Sequence, residues 1–256
     1  MAVIYIVLPI VAFAAATLSA IVGMGGGMLL LATLFCFLAH SEAIPAHATV
    51  QLVSNSTRTF AFLAHVDWNA VGKFVLGMIP GACVGLLLLF WFGEPRESEP
   101  WLKSLVGVYI LGALALPSRS RMRGGANWWN FPLFGVVAGA AAFTVGAVGP
   151  LIAPLFARRG FVKERLVATK ALCQSCTHIV KIPGFLLLRS YDNLGALAAI
   201  TLVMAVLVVP GTLLGRRLLK GVSEQHFVVL YRLALLAVGL KVLLADGLYP
   251  LLMRGS

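Results

Sequence analysis

The sequence predicts an all-α polytopic membrane protein made of two inverted repeats, each a broken re-entrant helical hairpin followed by three transmembrane helices. Three observations predict it. The first is composition: 60% of the residues are hydrophobic and 11% charged, where a soluble domain carries about 25% charged residues, and the mean hydropathy is +0.96. The second is an opening apolar segment, residues 2–39, that is too long for one span. As one straight helix it would reach roughly 57 Å, against a hydrocarbon core about 30 Å thick. The third is an internal echo. TVGAVGPLI at 144–152 matches IVGMGGGML at 21–29, pairing Gly23 with Gly146 and Gly26 with Gly149. ATVQLVSNSTRT at 48–59 lies over ATKALCQSCTHI at 168–179, which sets Arg58 against His178, and PGACVG at 80–85 matches PGTLLG at 210–215.

Taken in order, the first repeat (1–118) holds the hairpin 2–39 and helices 44–66, 69–92 and 101–117. The second (119–256) holds the hairpin 131–157 and helices 164–188, 193–215 and 225–248. The amino-terminal MAVIYIVLPI lacks the basic start of a secretory signal and is read as part of the mature fold.

The hairpins follow from glycine and from charge. Gly23, Gly25, Gly26 and Gly27 can adopt positive φ and allow close backbone approach, which suits a reversal within the bilayer. Gly146 and Gly149, with Pro150 at a position fit for the first turn of a helix, serve the second half. The net charge is +11, from 20 Lys plus Arg against 9 Asp plus Glu. The basic residues sit in short inter-helix loops, so membrane orientation explains them and nucleic acid is not the expected partner. If all eight segments crossed, Arg119, Arg121 and Arg123 would lie opposite Arg158, Arg159, Lys163, Arg165, Arg216, Arg217 and Lys220. Re-entrant hairpins bring all ten to one face, as the positive-inside rule favours, and place both termini outside the cytoplasm.

Broken helices leave amide ends unpaired within the membrane, and two such ends make an anion site. The polar side chains agree. Helix 44–66 carries Gln51, Asn55 and Arg58 on one stripe, and its counterpart carries Lys170, Gln174, Thr177 and Lys181. Lys170 is near enough to the basic face to snorkel toward it. All nine carboxylates fall at or near segment ends. No acidic residue is placed to pair Arg58, so the substrate is expected to bring the negative charge. His178 is the candidate proton carrier, because an imidazole titrates near neutrality. CQSC at 173–176 has redox spacing without a second ligand pair. With no HExxH and no base beside a nucleophile, neither an enzyme nor a cofactor or metal site is expected.

The glycine-rich break GMGGG, the polar second helix QLVSNSTR and their degenerate copies VGAVGP and ATKALCQSCTH resemble the sulfite exporter TauE/SafE family over about residues 10 to 245. The resemblance implies bacterial inner-membrane transport of small sulfur oxyanions such as sulfite or sulfonates, without reaction chemistry. It places the family's glycine motif on Gly23, Gly25, Gly26 and Gly27 and its polar patch on Ser54, Asn55 and Ser56. The second half departs from the pattern, with Val148 and Pro150 where the first has Gly25 and Gly27. Residues and resemblance together predict a small anion held between the hairpin tips by Ser54, Asn55, Arg58, Thr144, Gln174, Thr177 and Lys181. A channel, or a carrier of a short carboxylate, is the alternative. Lipid is the expected surroundings, and a homodimer is left open.

Overall fold

The computed structural model describes residues 2–22, 25–91, 95–115, 129–159, 161, 163–187, 195–218, 232–233 and 235–254. Within these the chain is helical and contains no strand. The segment 2–39 is two helices, α1 (Ala2–Val22) and α2 (Gly26–Phe35). Then come α3 (His40–Ala61), α4 (Trp68–Trp91) and α5 (Pro95–Ala115). The second broken segment is α6 (Asn130–Thr144) and α7 (Gly149–Arg158). It is followed by α8 (Lys163–Leu187), α9 (Gly195–Leu218) and α10 (Leu235–Met253), the last π-helical over Lys241–Leu248.

Both expected breaks are present, each at a glycine with left-handed backbone: Gly25 at φ 100° and Gly146 at φ 85°. The sequence match paired Gly23 with Gly146, and Gly23 lies outside the described residues. After the first break the chain folds back so closely that a Cβ on Gly26 would lie 1.9 Å from the Ala15 carbonyl oxygen. After the second, the ring of Phe131 near the start of α6 meets those of Phe156 and Phe161, near and beyond the end of α7, at centroid distances of 5.6 and 6.3 Å. Both ends of that segment therefore lie together.

Helix starts differ from expectation where local chemistry extends them. α3 begins at His40 because Glu42 accepts a hydrogen bond from the Ala39 N–H at 3.2 Å, half of a capping box. α4 is capped by Asp67, whose Oδ1 accepts from the Ala70 N–H at 3.0 Å.

Four described helical stretches are long and apolar enough to cross a membrane: Ile4–Ile21, Trp68–Trp91, Leu197–Leu218 and Leu235–Met253. α3 and α8 owe their polarity to the buried side chains described below.

Helix pairing is reciprocal. α4 packs on α6, α1 on α9, α3 on α8, and α5 on α10. At two seams glycine brings backbones into contact. A Cβ on Gly77, Gly81 or Gly85 would lie 1.9, 2.1 or 2.4 Å from the carbonyl oxygens of Pro132, Val136 and Ala140. On Gly211 or Gly215 it would lie 2.6 or 2.4 Å from those of Phe13 and Thr17. Large side chains of α4 and α9, including Leu76, Leu87, Leu202 and Val206, are exposed, as a lipid-facing surface requires. Trp68, Trp91, Trp101 and Trp129 are exposed at or near helix ends, where indole sits at the headgroup level.

Candidate functional site

Where the two breaks meet the polar helices, a narrow cavity with room for about one water molecule opens. Ser19, Gly25, Gly27 and Met28 line it from the first broken segment, and Ala147, Gly149 and Pro150 from the second. α3 contributes His47, Gln51 and Arg58, and α8 contributes Lys170 and Gln174. Two cations and no carboxylate are among these residues.

Each polar helix serves one break. A Cβ on Gly27 would lie 3.2 Å from Gln51 Oε1, and on Gly149 3.1 Å from Gln174 Nε2. Glycine at both positions lets the two amides come this close to the backbone without being displaced. His47 Nε2 donates to the Gly27 carbonyl at 2.8 Å, and Lys181 Nζ donates to the Gly146 carbonyl at 2.8 Å. α2 starts at Gly26 with no side-chain cap, and Gly25 and Gly27 at this start line the cavity.

Arg58 is 3% exposed. It donates to the Ser19 hydroxyl at 2.7 Å, to the Ser54 carbonyl at 3.4 Å and to Asn55 Oδ1. Every one of these acceptors is uncharged. On α3 and α8 several buried side-chain atoms have no hydrogen-bond partner: Ser54 Oγ, Asn55 Nδ2, Ser175 Oγ, and Nδ1 of both His47 and His178. Buried polar groups rarely go unpaired in proteins, and of these residues His47 lines the cavity.

Of the residues singled out from sequence, Gly25, Gly27, Arg58, Gly149 and Gln174 lie on the cavity wall. Ser54 and Asn55 flank Arg58 behind it, and Gly26 is packed on α1. Thr144 accepts the His40 Nε2 bond on its carbonyl at 2.9 Å, away from the lining. Thr177 bonds its own helix at the Cys173 carbonyl. His178 is buried with its ring edge toward His47, centroids 5.8 Å apart. Three polar wall residues were not foreseen. Ser19 is a small hydroxyl in the last turn of an alanine-rich helix. His47 extends the stripe of Gln51, Asn55 and Arg58 by one turn, and that periodicity was the available signal. Lys170, expected to snorkel, is 2% exposed and turned inward, because its face of α8 packs on α3 and not on lipid.

The helix ends give a different register from the sequence pairing of Arg58 with His178. Gly26 and Gly149, His40 and Lys163, and Phe35 and Arg158 mark the corresponding ends of α2/α7 and α3/α8, and each pair is 123 residues apart. That spacing sets Gln51 against Gln174 and Arg58 against Lys181. A slip of three residues nearly preserves a helix face, so residue identity alone could not fix the register.

A profile of the sulfite exporter TauE/SafE family matches residues 8–242, a span that contains both breaks and both polar helices. The probable sulfite/organosulfonate exporter TauE of Cupriavidus necator is 29% identical over 181 residues, which is 66% of this chain and 67% of that protein. With several apolar helices and a match over most of its length, the chain is a multi-pass membrane protein that belongs to the sulfite exporter TauE/SafE family.

Proposed function

We propose that this protein exports small sulfur oxyanions, sulfite or organosulfonates, across the bacterial inner membrane, binding them at the cavity between the two breaks. The observation that carries the reading is the buried guanidinium of Arg58. It sits on a wall with Lys170 and no carboxylate, and its own hydrogen bonds go to neutral groups. An unpaired charge at the bilayer centre costs at least about 2.5–3.5 kcal/mol, and an anionic substrate offsets that cost while it is bound.

The halves act as inverted repeats that rock about the site. The reciprocal pairing of α4 with α6 and α1 with α9 supports this, as do the equal lengths of α2 and α7. Each of these two helices has 10 residues, a rise of about 15 Å or half the hydrocarbon thickness, which carries the chain from mid-membrane back to one face. The narrow cavity corresponds to an occluded state that must widen to load an anion. A membrane potential negative inside favours anion efflux by about 2.3 kcal/mol per charge per 100 mV.

Thermal unfolding of the purified protein with sulfite, methanesulfonate, thiosulfate, sulfate, lactate and chloride tests this. A bound sulfur oxyanion at a hundred times its Kd raises stability by about 2.7 kcal/mol. Arg58→Gln, if folded, lowers sulfite affinity at least about tenfold, the size of a charge-assisted hydrogen bond. Stabilisation by lactate alone, or an Arg58→Gln protein that binds and transports sulfite normally, overturns the reading.

A further inference from the structure

We propose that His47 selects the protonation state of the cargo: its Nδ1 accepts a hydrogen bond from the bound oxyanion's own O–H, so the site takes hydrogen sulfite in preference to the sulfite dianion or sulfate. This rests on the oxyanion reading above and deepens it.

The argument begins at Nε2. It lies 2.8 Å from the Gly27 carbonyl oxygen, which can only accept, so Nε2 carries the ring proton. In the neutral imidazole the other nitrogen is then an acceptor. That Nδ1 is buried and has no hydrogen-bond partner, in a residue 1% exposed that lines the cavity. Of the other charged or amide groups on the wall, Arg58 and Lys170 only donate, and the amides of Gln51 and Gln174 can turn an N–H toward an anion, whereas Nδ1 can only accept. One acceptor among these donors is the wrong group for an oxyanion with no proton, because two lone pairs would face each other. It is the right group for an oxyanion with one O–H and several bare oxygens.

The charged surroundings keep the ring an acceptor. On its own helix His47 has Arg58, His40, which bonds the Thr144 carbonyl, and Glu42, whose carboxylate is taken by the Ala39 N–H at the helix start. From α8 it faces His178, with Lys170 and Lys181 nearby. α1 and α2 bring a hydroxyl and backbone to the wall but no described charge. The Glu99–Lys103 ion pair of α5 lies toward His40, and Arg216 of α9 lies over the Phe62 ring near the far end of α3. Among the described residues no carboxylate hydrogen-bonds His47 or lines the cavity. The consequence for transport is that each exported anion carries one negative charge and takes its own proton out with it.

Isothermal binding to the full-length protein in detergent, from mildly acid to mildly alkaline buffer, tests the proposal with three anions. Sulfite loses its second proton near neutrality, selenite at a higher pH, and methanesulfonate has none to lose. Affinity for sulfite should fall about tenfold per pH unit above its own titration point, selenite should hold to a correspondingly higher pH, and methanesulfonate should stay flat. His47→Gln places an amide nitrogen near Nε2 to serve Gly27 but removes the ring acceptor, so the preference for sulfite over methanesulfonate at acid pH should shrink about tenfold. If that variant does not fold, the wild-type series still decides. A common break for all three anions, which would report the protein's own titration, or sulfite binding that tightens as pH rises, overturns the proposal and leaves the oxyanion reading intact. Absence of binding by any anion removes both.

Discussion

At the residue scale, Arg58 and Lys181 divide the labour of a buried cation differently. Lys181 is fully buried and spends its ammonium on the Gly146 carbonyl, so it fixes the second break. Arg58 reaches Ser19 with one arm and still fronts the cavity. Asp67, outside the membrane-spanning helices, shows the opposite economy. Burial pushes its carboxyl up, but the Ala70 N–H and the Arg165 guanidinium, 2.6 Å away, outweigh that and hold it below its ordinary value of 3.8. A depressed carboxyl stabilises the fold above its unfolded value and loses that contribution as pH falls through the folded one. Asp67→Asn, which keeps a capping oxygen, should therefore flatten the acid limb of a melting-temperature profile while changing neutral stability little, as expected for a pair in which Arg165 is half-exposed. Asp67→Ala should cost about 1 kcal/mol at neutral pH, because the cap goes too. The reach of sequence at this scale was uneven for a physical reason. Arg58 was legible because a charge in an apolar helix needs explaining wherever it points. Ser19 and His47 were not, since a hydroxyl or imidazole near a helix end has many harmless environments and only the fold shows which one it has.

Between helices, glycine sets the spacing. The breaks could be read from composition, since four glycines within five residues do not continue a helix in a span that must satisfy its own backbone. The choice of Gly25 and Gly146 for positive φ could not, because adjacent glycines are interchangeable until packing fixes the path. The seam glycines were legible only as an echo of PGACVG in PGTLLG; that Gly81 and Gly211 each carry a neighbouring backbone needed coordinates. The seams make a controlled test. Gly81→Ala and Gly211→Ala put a Cβ where a carbonyl oxygen already stands, at 2.1 and 2.6 Å, and each should cost about 1–3 kcal/mol as the helices are forced apart. Gly112, in α5, has nothing within 4 Å of an added Cβ, so Gly112→Ala should be neutral or stabilising by up to about 1 kcal/mol through helix propensity. Thermal unfolding of the three variants in one detergent separates them, and equal losses at all three would mean the seams do not hold the helices together.

For the whole molecule, the contacts order the two faces without any appeal to loop charge. Asp67 and Arg165 are bonded, so the start of α4 and the start of α8 share a face. α4 runs parallel to α6, since Gly77, Gly81 and Gly85 meet Pro132, Val136 and Ala140 in the same sequence direction, so α6 also starts there. Phe131 against Phe156 returns the end of α7 to that face. By the same reasoning α9, which follows α8 across, starts on the opposite face, and α1 runs parallel to it through the contacts of Gly211 and Gly215 with Phe13 and Thr17. The amino terminus is thereby set opposite Arg165, and α2 ends on the amino-terminal side, where the His40 N–H meets Glu99 of α5. Arg158, Arg159, Lys163 and Arg165 cluster on the other face, which the positive-inside rule assigns to the cytoplasm. Arg119, Arg121, Arg123 and Lys220, counted from sequence with that face, lie outside the described residues. α10 runs antiparallel to α5, since Gly239 meets Ile110 and Gly247 meets Ser104, so packing sets both ends of the chain on one side and charge predicts that this side is outside the cytoplasm. Reporters that are active only outside the cytoplasm, fused at either terminus, should be active, and one inserted between Arg159 and Lys163 should be silent. A silent reporter at the amino terminus would mean that α1 and α2 do not return to one face, and the proposal of opposed hairpins around an anion site would have to be abandoned.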